Sequence, residues 1–228
     1  MANTLKKLAL LVGGVALGLG SIVHAADAPA LVSGASGEAL ANTCAGCHGT
    51  AGVSAGPASP TLAGINAEYF NDIMKRYKDD SAYSTIMGRI ARGYSEEEIA
   101  LMADYFTKSP FSPAKQKFDE ALVKDGAKLH DKVCEKCHSE GGKVLAAAPA
   151  EGKKGKKKDD DDDDEEEGGD EWHILAGQWT PYLHYTLEDY MDKRRDMPKK
   201  MGKALEKAQK KDGDKAIAAL LAYYASQQ

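Results

Sequence analysis

Apolar side chains recur every three or four residues in several stretches of the chain, a spacing that places them on one face of an α-helix. One such stretch follows Asn66, a residue whose side chain can cap a helix. A second follows the capping-box sequence at residues 95–98. The apolar positions are Tyr69, Phe70, Ile73 and Tyr77 in the first stretch, and Ile99, Met102, Ala103 and Phe106 in the second. The pattern predicts an all-α fold.

Further elements are predicted around these two helices. Residues 36–43 predict a short helix, and residues 49–61 are rich in glycine, proline and serine and predict a loop. Residues 114–133 predict a longer helix that is broken or bent near Gly126. The Ser-Pro-Phe-Ser-Pro sequence at residues 109–113 predicts a stiff boundary. The chain is therefore expected to have two helical halves.

The second half repeats landmarks of the first. The tripeptide Leu-Ala-Gly occurs at residues 62–64 and again at residues 175–177. In both halves a tyrosine, Tyr69 or Tyr182, follows the leucine by seven residues. This order of landmarks indicates one domain that has been duplicated.

The duplication predicts two domains, residues 26–109 and residues 110–228. The second domain is longer, and its excess falls in a low-complexity insertion at residues 143–171 that contains nine consecutive acids at residues 159–167. Such a block repels itself and buries no apolar surface, so it predicts a disordered solvent loop. It is either a tolerated surface insertion or an electrostatic docking arm for a basic partner or a divalent cation.

The beginning of the chain has the features of an export signal. Two lysines precede an apolar stretch at residues 8–22, and Val23-His24-Ala25 offers a small-residue cleavage site. Residues 1–25 therefore predict a signal peptide, with a periplasmic mature chain that begins at Ala26. An uncleaved anchor is the alternative, although a bilayer span needs about 20 apolar residues. No other segment is long and apolar enough to cross a membrane.

Charge restricts the class of partner. The formal net charge is −5, and the acidic excess is concentrated in the insertion. Positive and negative side chains balance in the rest of the mature chain. This composition excludes a nucleic-acid binder of the usual basic kind.

Two short motifs carry the candidate chemistry. The sequence Cys-x-x-Cys-His occurs at residues 44–48 and 134–138, and these motifs contain all four cysteines. It is the attachment signature of a c-type haem. Cysteines three residues apart share a helical turn, so both sulfurs can reach the vinyl groups of one porphyrin, and the histidine can ligate the iron. We predict two covalent haem c groups, attached through Cys44, Cys47, Cys134 and Cys137 and ligated by His48 and His138.

Other interpretations of the motifs are a disulfide pair, a thioredoxin-like dithiol, half of a zinc site, and chance. A redox dithiol does not require a histidine after the second cysteine, yet here that histidine occurs twice. A tetrahedral zinc site gathers its ligands, whereas the two motifs lie 90 positions apart. In an oxidising compartment, haem attachment is a stable fate for thiols besides a disulfide.

The sixth ligand of each iron distinguishes an electron carrier from a catalyst. Methionine fills the sixth position and raises the reduction potential, whereas an open position admits other ligands. Met87 is the candidate in the first half, since it follows the tyrosine helix and precedes a short predicted helix. In the second half Met201 is favoured over Met197, because its spacing from the tyrosine helix matches better. His173 and His184 are alternative candidates for a sixth ligand, which would give a bis-histidine haem.

Outside these sites the sequence offers no paired carboxylates, nucleophile–base pair or open metal site. The chain is therefore predicted to transfer electrons and to have no catalytic residues of its own. A methionine candidate in each half also disfavours a dihaem peroxidase.

Six stretches of the sequence share the pattern of one known family. They are residues 44–50, 56–60, 84–91, 126–138, 174–182 and 224–228. With these stretches the chain resembles the haem-binding subunit of flavocytochrome c sulfide dehydrogenases, a tandem dihaem class I cytochrome c. The resemblance covers nearly all of residues 35–228, and the Lys/Asp/Glu insertion departs from it.

The resemblance implies two tandem class I cytochrome c domains and a periplasmic heterodimer. A flavoprotein partner carrying FAD would oxidise sulfide. This chain would accept electrons from the flavin and pass them to a soluble cytochrome or another acceptor. The alternative is a free dihaem carrier that serves a terminal oxidase.

Overall fold

Helices are the regular secondary structure of residues 34–143 and 174–228, the residues that the computed structural model describes. The helices of the first half are α1 Gly37–Asn42, α2 Ala45–His48, α3 Ala67–Lys78, α4 Met87–Ala91 and α5 Glu96–Lys108, with a 3-10 turn at Thr50–Gly52. Those of the second half are α6 Glu120–Val133, α7 Ser139–Gly142, α8 Thr180–Met191, α9 Lys199–Asp212 and α10 Asp214–Ala225. The prediction of an all-α fold is confirmed.

Several predicted features lie outside the described residues. These are the signal peptide at residues 1–25 and the insertion at residues 143–171, except for Lys143. The domain limits at residues 26–109 and 110–228 stay predictions. Among the described residues, no helix combines the length and the apolar character that a membrane span needs.

Capping residues determine where three helices begin. The Ser36 side chain accepts a first-turn backbone N–H at 3.2 Å, and that of Asn66 accepts one at 2.9 Å. Ser95 and Glu98 form the predicted capping box, in which each side chain accepts a backbone N–H of the other. Because first-turn N–H groups have no partner within a helix, these bonds fix the starts of α1, α3 and α5.

In each half, the helix before the Cys-x-x-Cys-His motif crosses the last helix at a glycine. Helix α1 meets α5 at Gly37, where an added Cβ would lie 2.6 Å from the carbonyl oxygen of Leu101. Helix α6 meets α10 at Gly126, where an added Cβ would lie 2.0 Å from the carbonyl oxygen of Ala219. The missing side chains therefore allow the two backbones of each pair to approach closely.

Two details predicted for residues 114–133 are wrong. The helix begins after Asp119, whose side chain caps it. The residues before the helix contact a distant segment and do not form a helical turn, since the N–H of Ala114 donates to the carbonyl oxygen of Gly177 at 2.7 Å. Helix α6 also runs through Gly126 without a break, and this glycine allows the close crossing with α10.

The duplication is visible as the same backbone hydrogen bonds in both halves. In each half a glycine carbonyl accepts the N–H groups of the Leu-Ala pair, and the glycine after this pair donates to the last helix at 2.8 Å. The residues are Gly52, Leu62, Ala63, Gly64 and Phe106 in the first half, and Gly142, Leu175, Ala176, Gly177 and Tyr224 in the second. Phe106 and Tyr224 therefore occupy equivalent positions.

The core of the first half is built where α5 meets α1 and α3. The rings of Phe70 and Phe106 pack with their centroids 5.6 Å apart. The inward positions predicted for α5 are confirmed, because all four are buried: Ile99, Met102, Ala103 and Phe106. This apolar core holds the loop after the first motif against α5.

Candidate functional site

The two Cys-x-x-Cys-His motifs fold into the same turn. In the first motif, the N–H groups of Cys47 and His48 donate to the carbonyl oxygen of Cys44 at 3.2 and 2.9 Å. In the second, the N–H groups of Cys137 and His138 donate to that of Cys134 at 3.1 and 2.9 Å. Each motif therefore places its two sulfurs and its imidazole on one turn, as the spacing predicts.

The thiols lack the properties of a redox dithiol. None of the four cysteines is in a disulfide. Burial raises the pKa of Cys44, and it raises the pKa of Cys134 to about 11, whereas a reactive dithiol needs a lowered pKa. Within residues 34–143 and 174–228 no group of three or more His, Cys, Asp or Glu side chains is arranged to hold a metal ion.

His48 is held in one orientation with one ring nitrogen available. Its Nδ1 donates a hydrogen bond to the carbonyl oxygen of Pro60 at 2.8 Å, so the neutral ring leaves Nε2 without a proton. Burial lowers the pKa of His48, and the hydrogen bond to Pro60 opposes this shift only in part. A buried, neutral and oriented imidazole is suited to ligate a metal.

His138 occupies the equivalent position in the second half. Its pKa is lowered by burial and, to a smaller extent, by the nearby His130. Its Nδ1 is buried and has no hydrogen-bond partner among the described residues. The position that matches Pro60 is residue 173, which is not described. His138 is therefore also favoured in its neutral form.

A buried polar network adjoins the second motif. Nε2 of the fully buried His130 donates to the carboxylate of Glu135 at 2.6 Å, and its Nδ1 lies 2.9 Å from the hydroxyl of Tyr224. The hydrogen bond to His130 lowers the pKa of Glu135. Glu135 also accepts the backbone N–H groups of Glu140 and Gly141. The network therefore ties α6 and α10 to the turn that carries the motif.

Sequence reasoning missed this network, although a signal for it was present. His130 lies four residues before Cys134, and the residue four before Cys44 is Leu40. Tyr224 likewise replaces Phe106. Two apolar positions of the first half have thus become a hydrogen-bonding pair in the second.

Met87 lies at the start of α4, the helix that packs on α3. Its side chain is half-buried, and Ile86 and Ile90 beside it are 46% and 37% exposed. Exposed aliphatic side chains beside a candidate sixth ligand form an apolar rim that a porphyrin could cover.

The second half presents two methionines at one end of α9. Met201 lies in its first turn, and Met197 precedes it, with its sulfur 3.8 Å from where a Cβ on Gly202 would stand. Both side chains are half-buried, so burial does not distinguish them. His184 lies on the surface of α8, 3.7 Å from Glu188, and His173 is outside the described residues.

The partly buried guanidinium of Arg195 lies among tyrosines of both halves. Nε of Arg195 is buried without a well-aligned hydrogen bond, although Asp189 Oδ2 is 3.3 Å away. The tyrosines near it are Tyr69 and Tyr77 of α3, and Tyr182 and Tyr190 of α8. Burial raises the pKa of Tyr77 to about 12, so its phenol keeps its proton. A cation and phenol donors suit carboxylates such as haem propionates.

These features fit haem c. Each half offers two thiols and a neutral imidazole on one turn. The first half adds an apolar rim, and Arg195 supplies a positive charge that suits a carboxylate.

Comparison with known proteins agrees with this fit. The crystal structure of reduced recombinant cytochrome c4 from Pseudomonas stutzeri has the same fold, with a TM-score of 0.61 and 24% identity over 83% of this chain and 95% of that one. The cytochrome subunit of sulfide dehydrogenase from Chlorobaculum tepidum is 47% identical over 70 residues, which are 31% of this chain and 63% of the relative. Cytochrome c4 of Pseudomonas aeruginosa is 32% identical over 139 residues, which are 58% of this chain and 66% of the relative.

The family follows from the first half. The cytochrome c family model matches residues 34–109. Cytochrome c-554(548) of Halomonas halodenitrificans is 37% identical over 76 residues, which are 32% of this chain and 92% of the relative. The match to the cytochrome c family, together with the two haem c attachment motifs, defines an electron carrier. The chain belongs to the cytochrome c family.

Proposed function

We propose that this chain is a periplasmic dihaem electron-transfer subunit. It accepts electrons from an FAD-containing, sulfide-oxidising partner and passes them to another acceptor, such as a soluble cytochrome. The observation that carries the proposal is the 47% identity to a cytochrome subunit of sulfide dehydrogenase. The matched segment is 63% of that relative, so the partner and the substrate belong to the proposal.

Each half would bind one haem c with its own residues. Bound haem c supplies a one-electron Fe(III)/Fe(II) couple. The residues assigned to the two sites are Cys44, Cys47, His48 and Met87 in the first half, and Cys134, Cys137, His138 and Met201 in the second. The hydrogen bond from His48 to Pro60 orients the ring, so that Nε2 remains for the iron.

The methionines would close both irons. A filled sixth position leaves no vacancy for sulfide, a strong ligand that would otherwise block electron transfer. Methionine also raises the potential of a haem, which favours acceptance of electrons from a flavin. The proposed ligand set therefore suits a carrier that works beside sulfide.

A free dihaem carrier that serves a terminal oxidase is the second candidate. The structural similarity to cytochrome c4 over 95% of that chain favours it. Both candidates use the same haem sites, and they differ in whether the chain has a permanent flavoprotein partner.

Native purification tests this difference. We expect the chain to copurify with a flavin-containing protein through an interface that withstands high salt, because permanent interfaces are large and apolar. In stopped-flow mixing, sulfide should reduce the flavin of this complex first and the haems afterwards. The isolated chain should accept electrons readily but should not turn over sulfide.

The control is the isolated chain mixed with a chemical reductant, which should reduce both haems and establish that they are intact. A native preparation without flavin, in which the chain passes electrons directly to a terminal oxidase, would replace the proposed function by the second candidate.

The assignment of the sixth ligands leads to a separate prediction. Met87→Ala and Met201→Ala should each open one iron, lower its potential and allow imidazole to bind, since the sulfur that closes the site is removed. Imidazole titration, followed by the haem absorption spectrum, measures the number of open sites. Met197→Ala is the matched control and should leave both irons closed. If Met197→Ala opens an iron and Met201→Ala does not, Met197 is the ligand.

A further inference from the structure

We propose that Gln178, a residue of the second half, tunes the haem site of the first half. It would do so through the peptide group between Pro60 and Thr61. The carbonyl oxygen of this peptide accepts from His48 Nδ1 at 2.8 Å, and its N–H donates to Gln178 Oε1 at 2.9 Å. The inference rests on the proposed ligation of a haem iron by His48.

The side-chain amide of Gln178 is built into this position. It is 3% exposed, and its Nε2 donates to the carbonyl oxygen of Thr61 at 3.1 Å. Its Oε1 also accepts the backbone N–H of Trp179 at 3.1 Å. Oε1 of Gln178 must face the N–H groups of Thr61 and Trp179, and Nε2 must face the Thr61 carbonyl oxygen. These partners therefore fix the orientation of the side-chain amide.

The contact affects His48 because the two hydrogen bonds share one amide plane. When Gln178 accepts a hydrogen bond from the Thr61 N–H, it polarises the peptide group between Pro60 and Thr61. The Pro60 carbonyl oxygen then becomes a stronger acceptor, since hydrogen bonds in a chain polarise one another. A stronger acceptor at Nδ1 makes the imidazole a better electron donor to a bound metal. Greater donation stabilises Fe(III), so Gln178 lowers the potential of the first haem.

The repeat makes this effect specific to one site. Gln178 follows the Leu-Ala-Gly tripeptide of the second half, and the residue that follows the same tripeptide in the first half is Ile65. An isoleucine side chain cannot accept a hydrogen bond, so Ile65 cannot make the reciprocal contact with the second site. Two similar haem sites therefore acquire different potentials.

Potentiometric titration of the full-length haem protein tests the proposal. Gln178→Met keeps the volume but removes the acceptor, and Gln178→Asn is too short to reach Thr61. Each variant should raise one of the two one-electron reduction potentials by about 28 mV, which corresponds to a roughly threefold change in the redox equilibrium constant. The other potential should stay unchanged. Gln178→Glu keeps an acceptor for the Thr61 N–H, so it should raise neither potential.

A second readout follows the hydrogen bond itself. In the NMR spectrum of the reduced protein, the Nδ1 proton of His48 should move upfield in the Met and Asn variants, while that of His138 should not move. Trp179→Phe is the matched control, because it removes another hydrogen bond between the halves, the 3.0 Å bond to the Ser54 carbonyl. It should leave both potentials in place.

Three outcomes would overturn the proposal. In the first, Gln178→Met and Gln178→Asn leave both potentials unchanged. In the second, these two variants shift both potentials equally. In the third, Gln178→Glu raises one potential as the Met and Asn variants do. The haem count is measured separately by mass spectrometry. A wild-type protein without haem at the first motif would overturn the proposed haem site together with this inference.

Discussion

The mature protein should retain two haem groups after extraction with acidified organic solvent, and the Cys44→Ala/Cys47→Ala variant should retain one. Thioether bonds resist conditions that release a haem held only by iron ligands. Each motif presents its two sulfurs on a separate turn, so loss of one pair should leave the other attachment intact. Cys134→Ala/Cys137→Ala should likewise retain one haem, at the first motif.

Mass spectrometry of the extracted chain measures this result directly, as a mass increase of two haems, one haem or none. Lys136→Ala is the matched control, because Lys136 is exposed and lies between the two cysteines of the second motif without supplying a thiol. It should keep both haems. Release of all haem from the wild-type chain would show that the motifs do not attach it covalently.

Gly126→Ala should destabilise the second half by about 3 kcal/mol, despite the better helix propensity of alanine. In an exposed helix this substitution stabilises by about 1 kcal/mol. Here the new Cβ would lie 2.0 Å from the carbonyl oxygen of Ala219 and 2.8 Å from the Cβ of Tyr223. Because backbone atoms of α10 form the contact, relief requires the two helices to separate.

Urea unfolding of the haem protein, followed by circular dichroism, gives the free energy of unfolding of both forms. Gly46→Ala is a matched control. Nothing lies within 4 Å of a Cβ at Gly46, and the second motif has Lys136 at the same place. This variant should unfold within about 0.5 kcal/mol of the wild type. Equal stability of Gly126→Ala and the wild type would mean that α6 and α10 do not cross closely at this glycine.

Features encoded within a few residues could be predicted from the sequence. The caps at Asn66 and Ser95 act on N–H groups of their own first turns, and each Cys-x-x-Cys-His motif forms a turn from adjacent residues. The inward face of α5 follows from apolar spacing alone. Such features need no knowledge of the rest of the fold.

Features that depend on distant partners could not be predicted. Residues 114–119 are not helical, because the N–H of Ala114 binds Gly177 in a segment much later in the chain. Gln178 and Thr61 are separated by 117 positions, and no local pattern marks either as a partner. The choice between Met197 and Met201 also depends on where α9 packs. Residue spacing predicts that position only to within one turn of helix.

The His130–Tyr224 pair has a consequence for how a duplicated chain folds. The two halves contain similar helices, so α10 could compete with α5 for contact with α1, and α6 could compete with α1 for contact with α5. In an exchanged assembly Tyr224 would face Leu40 and His130 would face Phe106, so the Tyr224 hydroxyl and His130 Nδ1 would each lose the other as a hydrogen-bond partner. An unsatisfied buried polar group costs about 1–3 kcal/mol. The polar pair therefore penalises exchange of helices between the halves and helps each segment to find its own partner.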